Sequence, residues 1–399
     1  TVEAAGEEAQ THTLTAVSTP RVLVLSGLTP CTAYVVRFGG GGEATLSTFG
    51  DEVTFSTFGD ACGSHFTVAV QSCDRFVDDG DAGAWMMPTE PIPVSAPPCG
   101  VHATVMLGDQ IYADTLFHAL VRDYNATTQG VVSFDDVVAR YRALYRYMWH
   151  HPAKRHAMRC GAHLTAPDDH DIVNNARSEA VAGSTALPCE GITPASTTLD
   201  RQRVVYFAAR AAYMEYQHQL NADVDPTAVG CGVEAAPTAW HFHTMAGVGV
   251  AVLDTRLDRV FTGEWMSGAQ LDAVGSQMGA WAADASVHTI VVASGTPLLV
   301  VDSLAARVAH RFENESYPTM EANVGALVSL LDTLRRGGDK VQLLIGGDLH
   351  LYGHTTLCHT PSGWCADQVV TSGVSNASHS LNAAHLFLFE TYTQQLSTP

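Results

Sequence analysis

A layered α/β (α+β) domain preceded by a small all-β sandwich is the fold class this sequence predicts, and three observations carry the prediction. The first 58 residues alternate apolar and polar side chains between Gly/Pro turns. After Cys62 the pattern changes to short apolar runs interleaved with helical periodicity. Finally, 46% hydrophobic and 16% charged residues over 399 positions suffice for a sizeable core.

In residues 1–58 the strand candidates are Thr11–Val17, Arg21–Leu25, Thr32–Phe38 and Val53–Phe58, with Gly39–Gly42 as a turn. Residues 59–399 form the second domain. Its strand candidates are Phe66–Val70, Ala103–Leu107, Val248–Leu253, Thr289–Ala293, Val341–Ile345 and Val369–Thr371. Between them Val137, Val138, Tyr141, Leu144, Tyr145 and Met148 recur at helical spacing, as do Val205, Ala208, Ala212, Tyr213 and Tyr216. These aromatic stripes read as core packing.

The formal charge of −20, with Lys only at Lys154 and Lys340, speaks against a nucleic-acid or anionic-membrane partner, because both need clustered cations. The longest apolar run, Ile290–Val301, is broken by Ser294, Gly295, Thr296 and Pro297 and is too short to span a bilayer. No basic and apolar leader pattern opens the chain, so any signal peptide is expected to have been removed or never included. Nine Cys, with Cys358 and Cys365 spaced for a bridged hairpin around Pro361-Ser-Gly, favour oxidising surroundings and hence secretion. Asn125, Asn314 and Asn376 stand in N-glycan acceptor triplets.

Polar clusters follow the strands, where an α/β sheet collects its ligand-binding loops. They are Gln71-Ser-Cys-Asp-Arg75, Gly108-Asp-Gln-Ile-Tyr-Ala-Asp114, Asp168-Asp-His-Asp171 after His163-Leu-Thr-Ala, and Gly346-Gly-Asp-Leu-His350. Together they hold carboxylate, imidazole, thiolate and phenolate, ligand types that serve hard, borderline and ferric cations. Adjacent acids in Asp168–Asp171 repel one another, and a bound cation would offset that. The bland alternative is an acidic loop in which Asp171 or Asn174 caps the next helix. A serine hydrolase built on Ser294 or Ser372 lacks the Gly-x-Ser-x-Gly elbow.

In this order the clusters resemble the alkaline phosphatase D-type metallophosphoesterases, over Phe66 to about Phe389 and with a fibronectin type III-like module in front, marked by Leu28-Thr-Pro-Cys-Thr-Ala-Tyr and Phe55-Ser-Thr-Phe. Ser72-Cys73 looks like the first family motif, Gly108–Asp114 the second and Asp168–Ile172 the third. Leu253-Asp-Thr-Arg256, Ala211–Tyr216 and Gly347–His350 look like later markers. The resemblance implies a double β-sheet sandwich flanked by helices and a dinuclear or multinuclear metal site. Cys73, Asp109, Tyr112 and Asp348 would ligate an iron-like ion; Asp109, Asp169 and His350 would serve a calcium-like or other divalent one. It also implies hydrolysis of phosphate mono- or diesters by a metal-activated hydroxide, with His170 as leaving-group acid and Arg75 against a phosphate oxygen. With Cys73 as a ligand, the other eight cysteines can pair completely. Two segments depart from the family pattern, Asn174-Asn-Ala and Ser178–Thr198, and they bear on substrate choice. The competing reading is a secreted structural or binding glycoprotein that keeps this fold without turnover.

Overall fold

The computed structural model describes residues 2–4, 22, 24–37, 52–57, 66–74, 101–159, 161–176, 188–221, 231, 238–258, 266–298, 329–350, 352–359 and 363–371. At the amino-terminal end, β1 (Val2–Ala4), β2 (Ala33–Arg37) and β3 (Glu52–Ser56) make an antiparallel sheet in that order. Tyr34 is buried on it, stacks on Phe55 with ring centroids 5.6 Å apart, and accepts the Thr29 N–H on its hydroxyl at 2.7 Å. The expected strand Thr11–Val17 lies outside the described residues. In the expected strand Arg21–Leu25, the described residues Val22, Val24 and Leu25 form none. Alternation marks a strand only where one face is buried, and Val24 is 75% exposed.

Two further sheets face each other. The smaller is parallel, in the order β4 (Val68–Gln71), β5 (Ala103–Leu107), β6 (Ala162–Ala166). The larger contains β7 (His241–Met245), β8 (Val248–Leu253), β9 (Thr289–Ser294), β10 (Val341–Gly346), β11 (Tyr352–His359) and β12 (Trp364–Thr371), in the order β11-β12-β10-β9-β8-β7. Strands β8, β9, β10 and β12 run parallel, and β7 and β11 pair antiparallel at the edges. These two edge strands escape sequence reading because their alternate positions carry His and Thr rather than an apolar stripe. The hairpin β11–β12 places Cys358 opposite Cys365, and the two are bonded as their spacing predicts. A second disulfide joins Cys189 to Cys231, Cys31 is also bonded, and Cys73 is a buried thiol.

The pleat divides β8, β9 and β10 of the larger sheet between two cores. Val250, Val252, Val291, Ala293 and Ile345 meet Val105, Leu107, Leu164 and Ala166 of the smaller sheet. Their neighbours Ala251, Leu253, Ile290, Val292 and Leu344 pack on the other side, against Val274, Met278 and Trp281. The helices of the described residues include α1 (Asp114–Val121), α2 (Ala126–Gln129), α3 (Phe134–His150), α4 (Pro152–Ala157), α5 (Thr198–Tyr216) and α6 (Gly268–Ala283). The last of these supplies Val274, Met278 and Trp281. Helices α3 and α5 open on Ser133 and Thr197, each in a capping box with the acid three residues on. The expected aromatic stripes of α3 and α5 lie in one buried cluster with Ile111, Phe117 and Leu120.

Ile290 touches the α6-facing core at full burial, whereas Val341 at the start of β10 is 67% exposed. Urea unfolding of Ile290→Ala should show a loss of about 2–5 kcal/mol, and Val341→Ala should stay within about 0.5 kcal/mol of wild type. Equal losses would contradict the assignment of the core.

Candidate metal centre

Every cluster singled out in the sequence lies at the carboxyl end of a parallel strand, so the two sheets deliver them to one pole. Ser72–Asp74 follow β4, Gly108–Asp114 follow β5 and Asp168–Asp171 follow β6 from the smaller sheet. Asp254–Arg256 follow β8 and Gly347–His350 follow β10 from the larger. The backbone there is strained. Cys73 (φ 58°), Asp109 (φ 54°), Asp348 (φ 68°) and His350 (φ 52°) all sit in the left-handed region that L-residues avoid. Such conformations cost about 1–3 kcal/mol each and cluster at functional sites. Glycines let the loops approach closely: a Cβ on Gly108 would fall 2.1 Å from that of Asp168, and one on Gly347 would fall 2.8 Å from the Ser72 hydroxyl.

Three groups of potential ligand atoms result, each with its members within 4.8 Å of one another: Cys73, Asp109 and His350; Asp109, Asp169 and His170; and Asp168, Asp169 and Asp348. The resemblance puts Asp348 with Cys73 and His350 with Asp169; in the structure His350 gathers with Cys73, and Asp348 with Asp169. Tyr112 borders the first group, its hydroxyl 3.3 Å from His350 Nε2, and its ring stacks on His170 at 4.4 Å. Asp109 belongs to two groups. It is 0% exposed; Oδ1 accepts the His170 N–H at 3.1 Å, while Oδ2 is buried with no hydrogen-bond partner among the described residues. A buried carboxylate oxygen without a donor is what a cation would satisfy. The donors suit metal ions: thiol, phenol and imidazole on the Cys73 side, carboxylates on the Asp169 side.

The four residues of Asp168–Asp171 divide the work. Asp168 is ion-paired to Arg256. His170 Nδ1 lies 2.7 Å from Asp114 Oδ2. Asp171 accepts the backbone N–H groups of Asp168 (3.1 Å) and Asp109 (3.2 Å) and the Gln217 amide (3.1 Å), so it ties the β5 and β6 loops together. Asp169 and His170 face the shared Asp109. The helix-cap reading of this loop is not met as expected: Asp168, rather than Asp171 or Asn174, is the N-cap, the turn it opens is Asp169–Asp171 itself, and these acids are buried rather than solvated.

Electrostatics follow from burial against charge. Burial and the neighbouring carboxylates hold the Asp109 carboxyl well above its ordinary range, only partly opposed by His170. Burial likewise lifts Asp171 to about 6. For His170 burial works against protonation, but Asp169, Asp109 and Asp114 outweigh it and raise the imidazole to about 11. For Asp169 the charges of Arg256 and His170 and the Asn175 N–H overcome burial and lower the carboxyl.

Sequence reading offers Asp171 only as a helix cap and gives Asp114 and Arg256 no individual role, although all three bind neighbouring side chains or backbone. It also misses Lys154, buried in α4 beneath the site. Lys154 Nζ reaches Asp74 (3.4 Å) and Gln110 (2.5 Å), and burial lowers it to about 8 despite the Asp74 charge. A lysine in a chain with two of them is a visible signal, but its partners are set by tertiary contact. Arg75 lies outside the described residues.

No family model matches the sequence, and no curated protein matches it. Among solved structures the chain is similar to that of PhoD, with a TM-score of 0.58 and 16% identity over 88% of this chain and 64% of that one. It is also similar to the purple acid phosphatase PPD1 from yellow lupin (Lupinus luteus) seeds, with a TM-score of 0.47 and 11% identity over 89% and 52%. The chain thus spans less than two thirds of the length of either. What the likeness to PhoD establishes is the fold: the two facing sheets flanked by helices follow that structure over 88% of this chain, and the candidate metal centre lies at their common carboxyl pole.

Proposed function

We propose that this chain is a metal-dependent phosphoesterase that hydrolyses phosphate mono- or diesters. The observation that carries the reading is the convergence of Cys73, Asp109, Tyr112, Asp169, His170, Asp348 and His350 on one pole around a buried carboxylate oxygen that has no donor among the described residues. Cys73, Asp109, Tyr112 and His350 would hold an iron-like ion, and Asp109 and Asp169, with Asp348 beside them, a calcium-like or other divalent one. When bound, such ions polarise phosphoryl oxygens and acidify water to near-neutral pKa.

The chain's own residues supply the proton. Asp114 holds His170 at Nδ1, which fixes the ring and leaves Nε2 to give its proton to the departing alkoxide oxygen. Stacking on Tyr112 holds the ring in plane beside the Asp109–Asp169 pair. Arg75, the next residue in the chain after Asp74, would offset charge on a phosphate oxygen. The disulfides Cys189–Cys231 and Cys358–Cys365 support an oxidising, extracellular location. No helix of the described residues is long and apolar enough to cross a membrane. Asn125 is exposed and open to glycosylation, while Asn314 and Asn376 lie outside the described residues.

Asp109→Asn removes the shared carboxylate, so both metal content and hydrolysis of an aryl phosphate should fall together. His170→Ala should keep the metals and lower turnover by about 10²–10⁴-fold, with a smaller loss for esters of good leaving groups that need little protonation. Elemental analysis beside leaving-group series measures both. Metal-loaded wild type that hydrolyses neither monoester nor diester at acid, neutral or alkaline pH would overturn the enzyme reading in favour of a structural glycoprotein. Alkylation of the denatured, unreduced protein should label Cys73 alone; finding Cys73 in a disulfide would remove it from the ligand set.

A further inference from the structure

The turn Leu253–Arg256 carries a cation into the acidic pole. Arg256 is 1% exposed, and its Nε donates to Asp168 Oδ1. Its Nη2 lies 3.4 Å from Asp348 Oδ2 and 3.9 Å from Asp169 Oδ1. These three carboxylates form the one candidate ligand group, among the described residues, made only of acids. They arrive from opposite sheets, Asp168 and Asp169 after β6 and Asp348 after β10. The guanidinium spans the junction.

Its launching point is pinned. Asp254 Oδ1 accepts the N–H groups of Arg256 (3.0 Å) and Leu257 (2.7 Å). Gln270 of α6 donates Nε2 to the Asp254 carbonyl and accepts the Asp254 N–H on Oε1, both at 2.9 Å. Such a clamp on both sides of the turn fixes where the side chain starts. A planar fork with several donors can serve three carboxylates at once, which the single ammonium of lysine cannot.

We propose that Arg256 is a positioning residue: a built-in cation that binds Asp168 and thereby holds Asp169 and Asp348, from different sheets, in the arrangement that metal ions require. The inference rests on the metal-centre reading above. Outer partners of ligating carboxylates are worth about 10–100-fold in metal affinity.

The test is calorimetric titration of the metal-free full chain with Mn²⁺ alone, beside urea unfolding of the same metal-free samples. The variants are Arg256→Met, Arg256→Lys and the double substitution Asp168→Asn with Arg256→Met. Arg256→Met should weaken Mn²⁺ binding by about 10–100-fold, and Arg256→Lys should recover only part. The double variant no longer buries an uncompensated Asp168 charge, so it should regain stability without regaining affinity. Unchanged or tighter Mn²⁺ binding in Arg256→Met would overturn the inference, as would full recovery of affinity in the double variant. Where Arg256→Met does not fold, the lysine and double variants decide by the same criteria. Wild type that binds no Mn²⁺ would instead overturn the metal-centre reading itself, before any variant is compared.

Discussion

A carboxylate buried between two sheets, as Asp109 is, cannot carry charge without a positive partner, and the pole of the molecule is organised around supplying one. Asp109 lies at the exit of β5, the central strand of the smaller sheet, and is fully buried. Its Oδ1 is met by a backbone N–H, while Oδ2 is met by no donor among the described residues. Around it Asp168, Asp169, Asp171 and Asp348 add further negative charge that Arg256 and His170 offset only in part. The fold tolerates this concentration because the acids are held by neighbours with separate tasks.

Those neighbours explain why strain accumulates at this pole. Left-handed backbone at Cys73, Asp109, Asp348 and His350 turns each side chain from the direction of its strand toward the shared centre. The buried apolar layer between the sheets sets the spacing of the loops. Asp171 and Lys154 fasten the loops from below through backbone and side-chain hydrogen bonds. Rigid support of this kind is what a site needs if its ligands are to be placed before an ion arrives.

Much of this was legible in the sequence for a physical reason. Ala103–Leu107 and Val248–Leu253 are continuous apolar runs buried almost throughout, α3 buries a stripe at helical spacing and α5 is buried nearly all round, so their apolar patterns carry the information directly. The site residues stood out because strands end in loops and those loops held unusual donors. What stayed hidden depends on contacts between distant segments. The His170–Asp114 pair spans 56 positions and the Arg256–Asp168 pair 88, and no local pattern signals either. The edge strands β7 and β11 were hidden for another reason: their polar alternate positions blur the period.

The most direct measurement of the central claim is anomalous X-ray scattering from crystals of the metal-loaded protein. Two peaks about 3.5–4 Å apart are expected, with Asp109 against both and Cys73 against one. An empty pole with Asp109 contacted only by water, or metal bound elsewhere on the chain, would contradict it.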